Sequence, residues 1–141
     1  MAITQAMCTS FKEDLFQKEQ DMDTDSIKIA LFTSSASLDA ATTTYTGAAN
    51  EVASGGGYTT GGEPLTNPVI GTSGTTAYVD FDNPEWTSAS FTTAGALIYN
   101  DTLAGKNAIA VLNFGGDFTV TAGTFRIVFP APGAAGLIRI D

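Results

Sequence analysis

From residue 3 to residue 18 the apolar side chains fall at helical spacing. Ile3, Met7, Phe11 and Leu15 recur at every fourth position, with Phe16 alongside. The spacing predicts a helix over 3–18 with one apolar face. Ser10 and Glu13 stand at capping-box spacing, which offers Ser10 as an alternative start. Such a face can dock on the molecule's own sheet or on a neighbouring subunit. After the acidic turn DMDTD at 21–25, the period becomes two. Ile27, Ile29 and Leu31 alternate with Lys28 and Ala30. Ala77, Val79 and Phe81 alternate with Tyr78, Asp80 and Asp82, which puts both carboxylates on an outward, solvated face. Thr87–Thr93 is a further strand, entered after Asn83-Pro84 and Trp86. Ala96–Tyr99 and Ala108–Leu112 are apolar on both faces, the pattern of central strands covered on both sides. Phe118–Val120, Phe125–Phe129 and Leu137–Ile140 complete the set.

Turn signals separate these segments: Asn83-Pro84, Asn100-Asp101, Gly115-Gly116, Ala122-Gly123 and Pro130–Gly133. Short strands with Gly and Pro turns and no intervening helical pattern predict an all-β fold, an antiparallel β-sandwich (jelly-roll-like) with a short N-terminal helix. At 141 residues the chain reads as a single domain, 1–141. Residues 1–20 are the helix and acidic turn, and 27–141 the sandwich. No internal repeat or composition shift marks a second unit.

The sandwich carries one long connection, 34–62, in Ser, Thr, Ala, Gly and Asn with almost no charge. Long connections without regular structure are uncommon in compact domains and are usually functional or disordered. A neutral, small-residue loop on a β scaffold points to contact rather than reaction. Tyr58 stands between Gly55-Gly56-Gly57 and Gly61-Gly62, a rigid aromatic in a flexible frame. It fits either an interface residue or a plug for the molecule's own core.

Composition narrows the chemistry. The formal net charge is −9, from 15 acids against six cations. The cations are scattered, so the clustered Lys and Arg that displace counterions from nucleic acid are missing, and no nucleic-acid partner is expected. No apolar run approaches the ~20 residues of a membrane span. Lys12, Glu13 and Asp14 interrupt the first segment, which does not read as a secretory signal. No membrane association is expected. Cys8 is the single cysteine and reads as a buried small apolar residue. There is no histidine. That removes the commonest general base, the commonest zinc ligand and the Ser-His and Cys-His nucleophiles.

The remaining candidates for chemistry are thin. Asp21, Asp23 and Asp25 begin like a calcium loop, but an EF-hand needs Gly at its sixth position and Glu at its twelfth, where Ser26 and Phe32 stand. The turn reads as solvated, and no metal is assigned. The glycine-rich loop has no Gly-Lys-Ser/Thr after it and opens no helix, so it is not a phosphate loop. Asp80 and Asp82 have the separation of a glycosidase pair, as any i, i+2 pair does. Trp86 reads as core. Arg126 and Arg139 interrupt apolar strands and project away from the core, to pair with acids in the sheet or across an interface. The chain is expected not to be an enzyme and to need no cofactor.

The blocks MAITQAMCTSFKEDLF, IKIALFTSSASLDAATTTYT, NEV…GGGYTTGG, GTTAYVDFDNPEWTSASFTTAGALIYN, AIAVLNFGG and FRIVFP…LIRI, taken in order, resemble a family of small structural proteins of tailed bacteriophages. The resemblance runs nearly end to end, apart from a longer and more acidic QKEQDMDTD. It implies a virion component made in the host cytoplasm. The first expectation is a capsid decoration (cement) protein on the outer capsid surface. Its partner would be the major capsid protein, with a homo-oligomer, a trimer above all, as its state. The second is a tail-fibre or head-fibre component that contacts the host surface, with Tyr58 or Trp86 stacking on carbohydrate. On either expectation the contact residues lie in Thr42–Gly62 (Thr44, Tyr45, Asn50 and Tyr58) and on the helix face (Met7, Phe11 and Leu15).

Overall fold

The computed structural model describes residues 2–47 and 49–141. Among them the elements run β1 (Ala6–Met7), α1 (Thr9–Phe16), β2 (Ile27–Phe32), β3 (Glu63–Pro64), β4 (Val69–Ser73), β5 (Thr76–Asp80), β6 (Glu85–Asn100), β7 (Ala108–Arg126) and β8 (Ile138–Ile140). They form two antiparallel sheets, one of five strands ordered β1-β7-β6-β2-β3 and one of three ordered β4-β5-β8. The period-two patterning thus gives the all-β, sandwich-like fold with one short helix that it predicts.

The core is built around the inner halves of β6 and β7. Ala94–Asn100 are all buried, as are Ala108–Val111. Neighbouring residues of a strand face opposite sides, and Tyr99 and Asn100 show what lies on each. Tyr99 stacks on Tyr45 of the long loop, with ring centroids 4.3 Å apart. Asn100 donates to Gln20 and Asp25, in the segment after α1. The loop therefore covers one face, and α1 with its following turn covers the other. The small sheet lies on the helix side, where Phe11, Leu15 and Met22 border one cleft with Ile70, Val79 and Ile138. Covering on both faces is what the unbroken apolar runs of β6 and β7 require.

The helix is shorter than the 3–18 predicted, and it does not start at Ser10. Cys8 occupies the N-cap in an extended conformation (φ −65°, ψ 138°) with no side-chain cap. Before it, Ala6 and Met7 pair with Val111 and Ala110 as an edge strand, and Ile3 bridges Leu38. The fourfold apolar spacing thus spans two structures. The free edge of β7 offers backbone hydrogen bonds that the first residues take in preference to a helical turn. At the other end Lys18 takes φ +62° and stops the helix.

Two predicted turns are bulges within β7. Between Thr93↔Phe118 and Gly95↔Asn113 the register slips, and the surplus residues of β7 are absorbed at Gly115 and Gly116, with φ +84° and +154°. A second slip falls at Ala89 to Phe91, opposite Val120 to Gly123. Strands read as separate pieces therefore join into one long β6–β7 ribbon whose outer half extends beyond the five-stranded sheet.

Candidate interaction surfaces

A buried carboxylate ties the 34–62 loop together, and hydrogen bonds around it hold the loop on the sheet. Glu51 is 9% exposed. Its Oε2 accepts from the Tyr45 hydroxyl at 2.7 Å, and its Oε1 accepts from the Tyr58 hydroxyl and the Gly61 N–H, both at 2.7 Å. The Tyr58 hydroxyl in turn accepts from the Leu31 N–H of β2 at 2.9 Å. The Tyr99 hydroxyl donates to the Gly61 carbonyl at 2.6 Å. Glu51 itself bridges Phe32, and Thr44 bridges Asn107. Burial raises the Tyr58, Tyr45 and Tyr99 hydroxyls above their ordinary range; for Tyr58 and Tyr45 the Glu51 hydrogen bond adds to it. Gly62 completes the attachment. It has φ +80°, and a Cβ there would lie 1.8 Å from the Ile29 carbonyl oxygen.

The acidic turn is likewise used internally. Asp21 Oδ1 accepts from the Asp23 and Thr24 N–H groups, and the Asp23 bond holds the carboxyl below its usual range. Asp25 Oδ2 accepts from the Asp21 N–H and from Asn100 Nδ2. Asp101, beside it, has its carboxyl lowered by the Lys106 hydrogen bond first and by the charge of Lys28. Among the described residues no group of three or more His, Cys, Asp or Glu is arranged to hold a metal ion.

Asp80 and Asp82 do not share an outward face. Asp80 is 2% exposed, and its Oδ1 accepts from the Phe81 N–H, whereas Asp82 is exposed and accepts from Asn67. β5 ends at Asp80, and the alternation that relates the two carboxylates ends with it. Trp86 and Cys8 are core residues, as read from the sequence. Burial first, and Asp39 second, push the Cys8 thiol up to about 11. Arg126 pairs with Glu85, its cross-strand neighbour, at 3.3 Å. Arg139 donates to the Gly136 carbonyl.

Among the described residues two apolar surfaces with large exposed side chains stand out. The first joins α1 to the small sheet. Phe16 is 93% exposed, and it lines a groove of about 470 Å³ with Met7, Lys12, Leu15, Arg139 and Ile140. Ile70 and Ile140, both 51% exposed, continue it across the small sheet. The second lies on the outer ribbon. There the Phe91, Phe125, Phe114 and Phe118 rings follow one another at 5.5–6.2 Å, starting from buried Tyr58 and Trp86. Phe118 and Val128 stand at the exposed end, bordering a groove of about 230 Å³ with Arg126.

Of the seven expected contact residues, Phe11 and Tyr58 are 1% and 2% exposed and have no surface to give. Phe11 packs under the helix, and Tyr58 plugs the core beside Phe91 and Trp86. Tyr45 is half-buried, with its hydroxyl on Glu51 and its ring on Tyr99. Thr44 and Asn50 are exposed on the loop. Met7 and Leu15 are half-buried and line the helix groove. Sequence reasoning missed Glu51, Ile70, Ile140, Phe118 and Val128. Met7 and Leu15, with Phe16 alongside them, were the visible pointers to the first surface.

Comparison of the chain with protein-family models, with curated proteins and with solved structures finds no match to any of the three.

Proposed function

We propose that the chain is a structural protein of a tailed-bacteriophage virion, specifically a capsid decoration protein. On this reading it binds the outer surface of the major capsid shell and bridges neighbouring subunits. The observation that carries the reading is the open apolar face of α1 and the small sheet, with Phe16 93% exposed at its edge. Large contiguous apolar exposure marks interaction sites. The near end-to-end resemblance to phage structural proteins supplies the kind of partner. Glu51 is engaged in holding the loop together, and Asp21 and Asp25 in their own turn. The mechanism is linkage, since each copy bound to one form of the shell stabilises that form. The state proposed for the bound protein is a closed homo-oligomer, a trimer above all.

The experiment is to add purified protein to heads that lack it. Decorated heads with raised resistance to heat and low ionic strength are expected, and Phe16→Ser should weaken decoration. Heads that neither bind the protein nor gain resistance would defeat the proposal.

The outer ribbon favours a second reading, a tail-fibre or head-fibre component, because its exposed aromatic end can meet a host surface. Copy number separates the two: decoration requires a fixed, high ratio to the capsid protein, and a fibre requires few copies.

A further inference from the structure

We infer that the cleft between β1 and β8 is a docking site for an extended, acidic segment of a partner protein. The segment adds a strand to β8 and sets an apolar side chain against Phe16. The inference deepens the reading of a contact protein without depending on which particle supplies the partner.

The small sheet presents a free edge to this cleft: among the described residues β8 pairs with β5 alone, whereas β1 pairs with β7 and is flanked by backbone bonds from Thr4 to Leu38 and from Thr9 to Ala40. Gln5, Ala6 and Met7 line one wall, and Leu137, Ile138 and Arg139 line the other, around about 270 Å³. Edge strands carry unpaired N–H and C=O groups, which an extended peptide satisfies by strand addition. Met7 and Arg139 also line the groove that holds Lys12, Leu15, Phe16 and Ile140, so cleft and groove are continuous. A strand leaving the cleft would therefore pass an open apolar site.

Charge selects the occupant. The molecule carries −9, and Lys28, Lys106 and Arg126 are paired with acids. Among the described residues Lys12, Lys18 and Arg139 form no ion pair, and two of these, Lys12 and Arg139, border this groove. Asp141, the acid that lines the cleft beside Arg139, accepts from the Thr76 hydroxyl at 2.7 Å. A cationic rim on an acidic molecule complements carboxylates on the partner. It also disfavours a second copy. A twofold contact through this cleft would bring like charges together, because such an interface uses the same patch on both molecules.

The test pans a library of random short peptides against the full chain and against the Lys12→Glu/Arg139→Glu double variant. Both side chains are exposed, so circular dichroism of the variant should match that of the parent. The expected result is enrichment of peptides alternating acidic and apolar residues. Their affinity should fall about tenfold on the double variant, and hydrogen exchange should slow at the Ile138–Ile140 amides on binding. Phe16→Ser, which leaves the rim charges in place, should also weaken binding. Three results would overturn the inference: peptides with no acidic bias, affinity unmoved by charge reversal, or unprotected β8 amides. Sedimentation of the parent as a dimer that Arg139→Glu dissociates would also overturn it, by giving the cleft to a second copy. Failure here leaves head decoration through the Phe16 and Ile140 face open, and failure to decorate heads leaves a positive peptide result standing.

Discussion

A carboxylate taken out of water costs several kcal/mol unless its oxygens are hydrogen-bonded. Glu51 receives three donors, and all three belong to the loop whose position it determines. Glu51→Ala leaves two tyrosine hydroxyls and the Gly61 N–H without their acceptor. A loss of about 3 kcal/mol is expected from denaturant unfolding. Tyr58→Phe should cost more than Tyr45→Phe, because the Tyr58 hydroxyl also receives the Leu31 N–H. The same hydroxyls set the alkaline limit. Their folded-state pKa values are raised, so the folded molecule holds protons that the unfolded chain gives up above about pH 10. Their contribution is intact below that pH and declines as pH rises beyond it. Unfolding midpoints should therefore fall above pH 10, while phenolate absorbance of the native protein lags that of the denatured chain. Cys8 behaves alike: burial pushes its thiol up to about 11, so its contribution declines as pH rises above the ordinary thiol value of about 9. Its thiol should resist alkylation at pH 8 in the native state and react once the chain is unfolded.

At the scale of elements, the loop is the case where sequence and structure diverge most. Its Ser, Thr, Ala and Gly have no period, so nothing in the pattern shows that Tyr45, Glu51, Val52 and Tyr58 return to the sheet. Those contacts join residues far apart in sequence, and a polar residue that caps two tyrosines looks like any surface glutamate. The glycines were legible as permissive positions, but their purpose, close approach to β2 and β6, is tertiary. Gly62→Ala combines φ +80° with a collision against Ile29 and should cost about 1–3 kcal/mol or more. It should also raise protease sensitivity within 34–62 first. The central strands were legible because burial on both faces leaves its mark in every residue from Ala96 to Tyr99. The helix was misread at its start because Ile3 and Met7 serve strand contacts at a spacing that happens to suit a helix. The bulges at Gly115 and Ala122 looked like turns because a positive φ is needed in both.

For the whole molecule, the account rests on what is left exposed after the fold has satisfied itself. Phe16 and Phe118 lie on different surfaces: Phe16→Ser should change unfolding stability by less than about 0.5 kcal/mol, Phe118→Ser should cost about 1 kcal/mol through its edge contact with Phe114, and the two should act on different contacts. The helix face was partly legible in the sequence through Leu15 and Phe16. Its extension onto Ile70 and Ile140 depends on sheet packing that no local pattern encodes. Imaging of the virion at a resolution that traces this chain tests the central claim most directly. The account predicts the chain on the outer capsid surface, in symmetric copies at fixed ratio to the major capsid protein, with Phe16 buried in the contact. Its absence from the particle, or its confinement to a few copies on the tail, would contradict the account.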